Sequence, residues 1–144
     1  AFIDPEQLAW LEQTLKDTPR TTPICVVSHI PILCVSAMVF GKPRSLEKRG
    51  TDTIVQAAEM HTDGDHLHHL FKSHGGVKLC LSGHIHLFDR CEIDGITYIC
   101  DGAVSGNWWK GPLQGLSEGY GVVDLWADGR FEHRYQTYGW KAEG

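Results

Sequence analysis

Long apolar runs are missing from this 144-residue chain: none approaches the roughly 20 residues that a membrane-spanning helix needs. No membrane partner is therefore expected. The first residues hold no basic stretch followed by an apolar core, so no secretory leader is visible, and one further upstream stays open. Positive charge is in deficit too, with 13 Lys and Arg against 18 Asp and Glu, a formal net charge of −5. An acidic balance gives no long-range attraction to phosphate backbones, which argues against general nucleic-acid binding. A small phosphorylated substrate stays compatible, because bound divalent cations reverse the sign of the local field. Cys-x-x-Cys pairs are also absent. The five cysteines (Cys25, Cys34, Cys80, Cys91, Cys100) are odd in number and read as free thiols acting as small hydrophobes. Unpaired thiols lean towards a reducing, cytoplasmic compartment, with an upstream export signal left open.

What is present fits one domain, or a piece of one. The chain is 42% hydrophobic and 22% charged, and it is long enough for one real core. Asp4-Pro5-Glu6-Gln7 predicts a helix start, with Asp4 as the cap and Pro5 at the first helical position. Leu8, Leu11 and Leu15 recur on one face, and Thr18-Pro19 ends the helix. Pro23 to Ser28 is short, apolar and β-branched, and predicts a fully buried strand that must leave the sheet at His29, ahead of Pro31. Gly41 to Arg44 reads as a basic loop, and Thr53 to Met60 as a short helix. Asp65 is expected to cap another helix, closed by His74-Gly75-Gly76. Val77 to Leu81 predicts a second buried strand, followed by a loop over Ser82 to His86. Asp94-Gly95 and Asp128-Gly129 then separate pairs of apolar runs, the signature of β-hairpins. The expected class is α/β, ending in antiparallel hairpins.

His84-Ile85-His86 is the sharpest chemical signal. If the chain stays extended just past a buried strand, alternate imidazoles face one small volume while Ile85 turns to the core. Gly83 is expected where the backbone turns tightly or approaches closely. His29 holds the equivalent place on the other buried strand, and ligands bind α/β sheets beyond the carboxyl ends of strands. His29, His84 and His86 thus form a candidate metal cluster, since neutral imidazole binds zinc, iron and nickel. A His-x-His pair alone would be a chance pattern; two strand ends together make the signal.

Ser28-His29-Ile30-Pro31 and Ser82-Gly83-His84-Ile85-His86 resemble the last two signature motifs of the calcineurin-like metallophosphoesterases, in the family's order. The stretch from Leu8 to Leu11 into the first strand also resembles the family's preceding helix. The resemblance implies half of a two-sheet α/β sandwich. It assigns His29 and His84 to one metal ion and His86 to another, two divalent ions or an Fe/divalent pair (Mn, Fe or Zn). It further implies hydrolysis of a phosphomonoester or phosphodiester by hydroxide bridging those ions. The family's Asp-x-His, Gly-Asp and Gly-Asn-His motifs do not precede His29 here, and Gly64-Asp65-His66 stands in the wrong order to replace them. Three neutral imidazoles cannot offset two dications, and a bridging carboxylate is needed to hold ions about 3.5–4 Å apart. The leaving-group acid is missing as well. Residues 1–144 therefore read as the C-terminal part of one catalytic domain, inactive alone and holding metal weakly or singly. The expected partners are a phosphoester, the N-terminal half of the same protein, and other copies of the fragment through apolar surface left uncovered.

Weaker candidates each carry two readings. Asn107-Trp108-Trp109 could form a cleft wall that stacks on a substrate ring, or a loop pinned to the core by its indoles. Asp89 could orient a ligating imidazole. Lys42, Arg44, Lys48 and Arg49 could meet phosphate, or form a solvated loop. His61, His66, His68, His69 and His74 read as a solvated helix face and its flanks, with His61 the first to test, and His133 reads as a surface residue. A non-catalytic module holding one structural metal is the main competing function. A mononuclear iron site of two histidines and a carboxylate is a third, without a His-x-Asp pattern at His84.

Overall fold

The computed structural model describes residues 1–39 and 46–143, so Lys42 and Arg44 of the expected basic loop lie outside the described residues. Helix α1 (Pro5–Asp17) begins as the sequence dictates: the Asp4 carboxylate accepts a 2.9 Å hydrogen bond from the Gln7 amide. Its Leu15 is buried, and Leu8 and Leu11 pack on the same cluster. Strand β1 (Ile24–Val27) follows, then the short helix α2 (Ser36–Val39). Leu46–Arg49 (β2) and Asp52–Val55 (β3) pair as an antiparallel hairpin. That hairpin replaces the short helix expected from Thr53, because the β-branched Thr53, Ile54 and Val55 suit a strand. Lys48 and Arg49 lie exposed on it, Arg49 paired with Glu47 at 3.3 Å.

Helix α3 (Gly64–His74) starts one residue before the predicted cap, with Asp63 at the N-cap position. It ends at Gly75 in the left-handed conformation (φ 79°), as the glycine pair predicted. Strand β4 (Val77–His86) continues through the histidine segment that the sequence suggested was a loop. Strands β5 (Asp89–Ile93) and β6 (Ile96–Gly102) turn at Asp94-Gly95, both at positive φ. Strands β7 (Gly119–Leu125) and β8 (Phe131–Thr137) form the terminal hairpin.

One mixed four-stranded sheet, in the order β1-β4-β6-β5, carries the fold. The β1–β4 and β4–β6 pairs are parallel, and β5–β6 is antiparallel. The α/β class with C-terminal hairpins is thus observed. The main core (Leu15, Ile32, Leu67, Phe71, Val77, Cys80, Ile96, Tyr98) joins α1 and α3 to this sheet. A second cluster (Cys34, Ala37, Ile85, Leu87, Cys100) sits under the histidine segment, so Ile85 does face inwards.

Strand β1 is not fully buried, against expectation. It stands at the sheet edge, and Val27 is 75% exposed beside exposed Trp10 and Phe2. An apolar, β-branched run suits a strand covered on both sides, but among the described residues β1 has a neighbour, β4, on one side only. All five cysteines are free: Cys34, Cys80 and Cys100 are buried, Cys25 and Cys91 half-buried.

Candidate metal centre

The sheet delivers two histidines to one place. The β1–β4 ladder runs on beyond β1, through Ser28 N to Leu81 O at 3.0 Å and Gly83 N to His29 O at 3.1 Å. These bonds bring the end of β1 against the middle of β4, and Pro31 then forces the chain away from the ladder. His29 Nε2 and His84 Nδ1 come to 3.2 Å, with the rings edge-to-face at 77°.

The backbone reaches this geometry differently from the extended chain inferred from sequence. His84 and His86 have φ of 70° and 63°, in the left-handed region that residues other than glycine seldom occupy. The β4–β6 register breaks between Ser82 and His86, so the segment is a bulge. Bulges and left-handed residues re-aim side chains and concentrate at functional sites. Gly83 does not play the role expected of it. A Cβ there would meet nothing within 4 Å, and its φ is ordinary. What Gly83 supplies is its backbone, with its amide on His29 O and its carbonyl accepting from Cys100 Sγ at 2.9 Å.

His86 is held apart from that contact. Its Nδ1 donates to Gly106 O at 2.7 Å, and its ring lies 4.5 Å from the Trp108 ring. A carbonyl that fixes Nδ1–H leaves Nε2 with its lone pair, the state in which histidine ligates metals. Among the described residues, no three His, Cys, Asp or Glu side chains converge into a metal cage. The donor set nevertheless fits part of one. Two imidazole nitrogens bound to one ion at about 2.0–2.1 Å stand about 2.9–3.4 Å apart for octahedral or tetrahedral angles. The observed 3.2 Å falls inside that range, and it is also the length of the N–H···N hydrogen bond that the two rings make with each other.

The other candidates distribute as follows. Asp89 is buried, but its carboxylate takes hydrogen bonds from Ser36 N and Cys34 Sγ (3.3 Å for the thiol) rather than from an imidazole. It therefore ties β5 to the loop after Pro31. Asn107, Trp108 and Trp109 lie in a turn where both tryptophans have positive φ and are about half exposed, 52% and 55%. Their indoles do not enter the core. Trp108 covers His86, and Trp109 packs edge-on against Trp140 at 5.3 Å.

The histidine cluster splits. His66 and His69 are exposed, as read, whereas His68 and His74 are buried and structural. His68 Nδ1 meets Tyr98 Oη at 2.8 Å and Nε2 meets Asp94 at 3.1 Å, joining α3 to the β5–β6 turn. His74 Nε2 donates to Thr18 O at 3.0 Å. His133 is not a surface side chain: its ring is 2% exposed, stacked on Phe88, with Nε2 at 3.0 Å from Asp101. His61, expected on a solvated flank, has a side chain only 10% exposed, with Nδ1 3.0 Å from the Asp63 carboxylate. The His-x-Asp spacing ahead of α3 was the available signal.

No known protein family and no curated protein sequence matches this chain. Among solved structures, a dimetal phosphatase from Danio rerio is similar, with a TM-score of 0.48 and 19% identity. The match covers 69% of this chain and only 27% of that protein's chain.

Proposed function

We propose that this chain supplies the histidine side of a dinuclear metal centre in a phosphoester hydrolase. One observation carries the reading: His29 Nε2 and His84 Nδ1, from two adjacent parallel strands, face each other at the spacing of two ligands on one ion. The left-handed backbone at His84 and His86 supports it, because strain of about 1–3 kcal/mol at a residue persists where a site imposes it. His86, its tautomer fixed by Gly106 O, would hold the second ion through Nε2. When bound, the two ions would supply an acidified water and positive charge against the phosphoryl oxygens.

The chain's own residues then have distinct tasks. His29 Nε2 and His84 Nδ1, hydrogen-bonded to each other here, would both turn to an ion that displaced the proton between them, and His86 is oriented by the Gly106 turn. Trp108 walls the His86 side, its ring 4.5 Å from the imidazole. Neutral imidazoles leave the positive charge unbalanced, so carboxylate ligands and a leaving-group acid are proposed to come from sequence upstream of Ala1. The open edge of β1, with Val27, Trp10 and Phe2 exposed, offers that upstream part a surface to pack on. The same surface would make the isolated chain self-associate.

The test is hydrolysis of bis-p-nitrophenyl phosphate and p-nitrophenyl phosphate by the protein together with its upstream sequence. Metal-dependent turnover that His84→Ala abolishes supports the reading. Metal binding with no turnover of either ester would favour a module holding one structural ion.

A further inference from the structure

We infer that Glu118 is a positioning residue for the second metal ion: its buried carboxylate, packed behind Gly106, strengthens His86 as a ligand and offsets the charge of the ion that His86 would hold. The inference rests on the phosphoesterase reading and deepens it, by giving that ion a carboxylate from this chain that acts without touching it.

Glu118 stands immediately before β7 and is 2% exposed. Acidic side chains seldom lie so deep unless they are paired. Among the described residues, its Oε1 is the one buried side-chain oxygen or nitrogen without a hydrogen-bond partner. No Lys, Arg or His among them forms an ion pair with it. Two tyrosines near it do not supply a donor, because Tyr135 Oη donates to Ser117 O at 2.9 Å and Tyr138 Oη donates to Val104 O. Taking a charge out of water without a partner is costly, so an orphaned buried carboxylate points to a positive charge that comes from outside the chain.

Printed contacts connect Glu118 to His86. A Cβ on Gly106 would lie 2.8 Å from Glu118 Oε1 and 2.9 Å from its Cγ, so the acid is pressed against the Gly106 backbone. Only glycine fits at this distance, and Gly106 is also at φ 50°. The Gly106 carbonyl in turn accepts from His86 Nδ1 at 2.7 Å. The Gly106 amide donates to Ala103 O at 2.9 Å and the Gly119 amide, next to Glu118, donates to the same oxygen at 3.3 Å. Glu118 and the turn that holds His86 are therefore tied into one unit. A histidine ligand whose ring N–H is held by an acceptor gains basicity at its other nitrogen, and negative charge behind that acceptor adds to the effect. Coulomb attraction has no preferred direction, so the carboxylate favours a cation at Nε2 without contact, and its burial limits screening by salt. Glu118 is buried by the described residues themselves, so the effect does not depend on what packs against the β1 edge.

The test uses the full-length protein, stripped of metal and titrated with Zn²⁺ in a calorimeter that separates the two equivalents. Glu118→Gln keeps the shape of the side chain and removes its charge. It should weaken the second equivalent, the one that His86→Ala abolishes, by about tenfold, a modest part of what a buried charge exerts on a dication. The first equivalent should change much less. The metal-stripped variant should unfold at the same or a higher temperature, because an uncompensated charge has gone. Glu132→Gln, at an exposed position of β8, should change none of these. Unchanged zinc affinity in Glu118→Gln, with the second equivalent lost in His86→Ala, overturns this inference and leaves the metal centre standing. Retention of both equivalents in His86→Ala overturns both readings. Equal weakening of the two equivalents also overturns the inference, and so does earlier unfolding of the metal-stripped variant, which would make Glu118 a packing residue. Should Glu118→Gln fail to fold, the side-chain carboxyl ¹³C resonance of Glu118 in the unaltered protein decides. A signal that moves with the second zinc equivalent and then saturates supports the inference, and one that stays still refutes it.

Discussion

His29 Nε2 and His84 Nδ1 stand 3.2 Å apart, although 55 residues separate them in the chain. Their meeting depends on the parallel β1–β4 ladder and on a left-handed residue at position 84. The ladder is ordinary physics for apolar strands; the backbone at His84 is not. A side chain at φ 70° is tolerated rather than favoured.

That strain is measurable. Both His84→Gly and His84→Ala remove the imidazole, but only glycine is at ease with positive φ. His84→Gly should therefore be the more stable of the two by about 1 kcal/mol in urea denaturation. Equal stabilities would mean that the fold does not impose this conformation.

Gly64 tests the packing that holds the site's floor. A Cβ at Gly64 would stand 2.5 Å from Ile32 O, a backbone atom that cannot rotate away. Ile32 lies three residues after His29, so Gly64→Ala must push α3 off the turn that carries the metal ligand. The expected cost is about 1–3 kcal/mol of stability. A neutral effect would show that α3 and this turn are not tightly opposed.

Much of this was legible in the sequence because it is local. Asp4-Pro5, Gly75 and Asp94-Gly95 each dictate a backbone state without help from distant residues, and each stands where the pattern put it. His29, His84 and Ile85 are legible from strand ends and alternation, although the backbone is left-handed rather than extended at His84 and His86. What could not be read was tertiary. Val27 looks central because its neighbours are apolar, and only the sheet order reveals an edge. His68, His74 and His133 look polar and exposed until Tyr98, Thr18 and Asp101 are brought to them. Asp89 is near His86 in sequence, yet it turns to Ser36 and Cys34.

Acid should loosen the segment that precedes α3. The Asp63 pKa is lowered in the folded chain, where the Ile3 and His61 hydrogen bonds outweigh burial. A carboxylate with a depressed folded pKa contributes stability above its unfolded value, about 3.9, and loses it as pH falls through the folded value. Asp63→Asn should remove part of the stability difference between pH 6 and the acid range (about pH 2–4), measured by thermal unfolding. An identical acid profile in Asp63→Asn would assign that loss to other carboxylates.

The most direct measurement is metal content by mass spectrometry of the full-length protein, compared with His29→Ala, His84→Ala and the double variant. If His29 and His84 share one ion, each single substitution removes about one equivalent, and the double variant removes no more than either. Full metal retention in His84→Ala, or separate additive losses from the two substitutions, would contradict a shared ion.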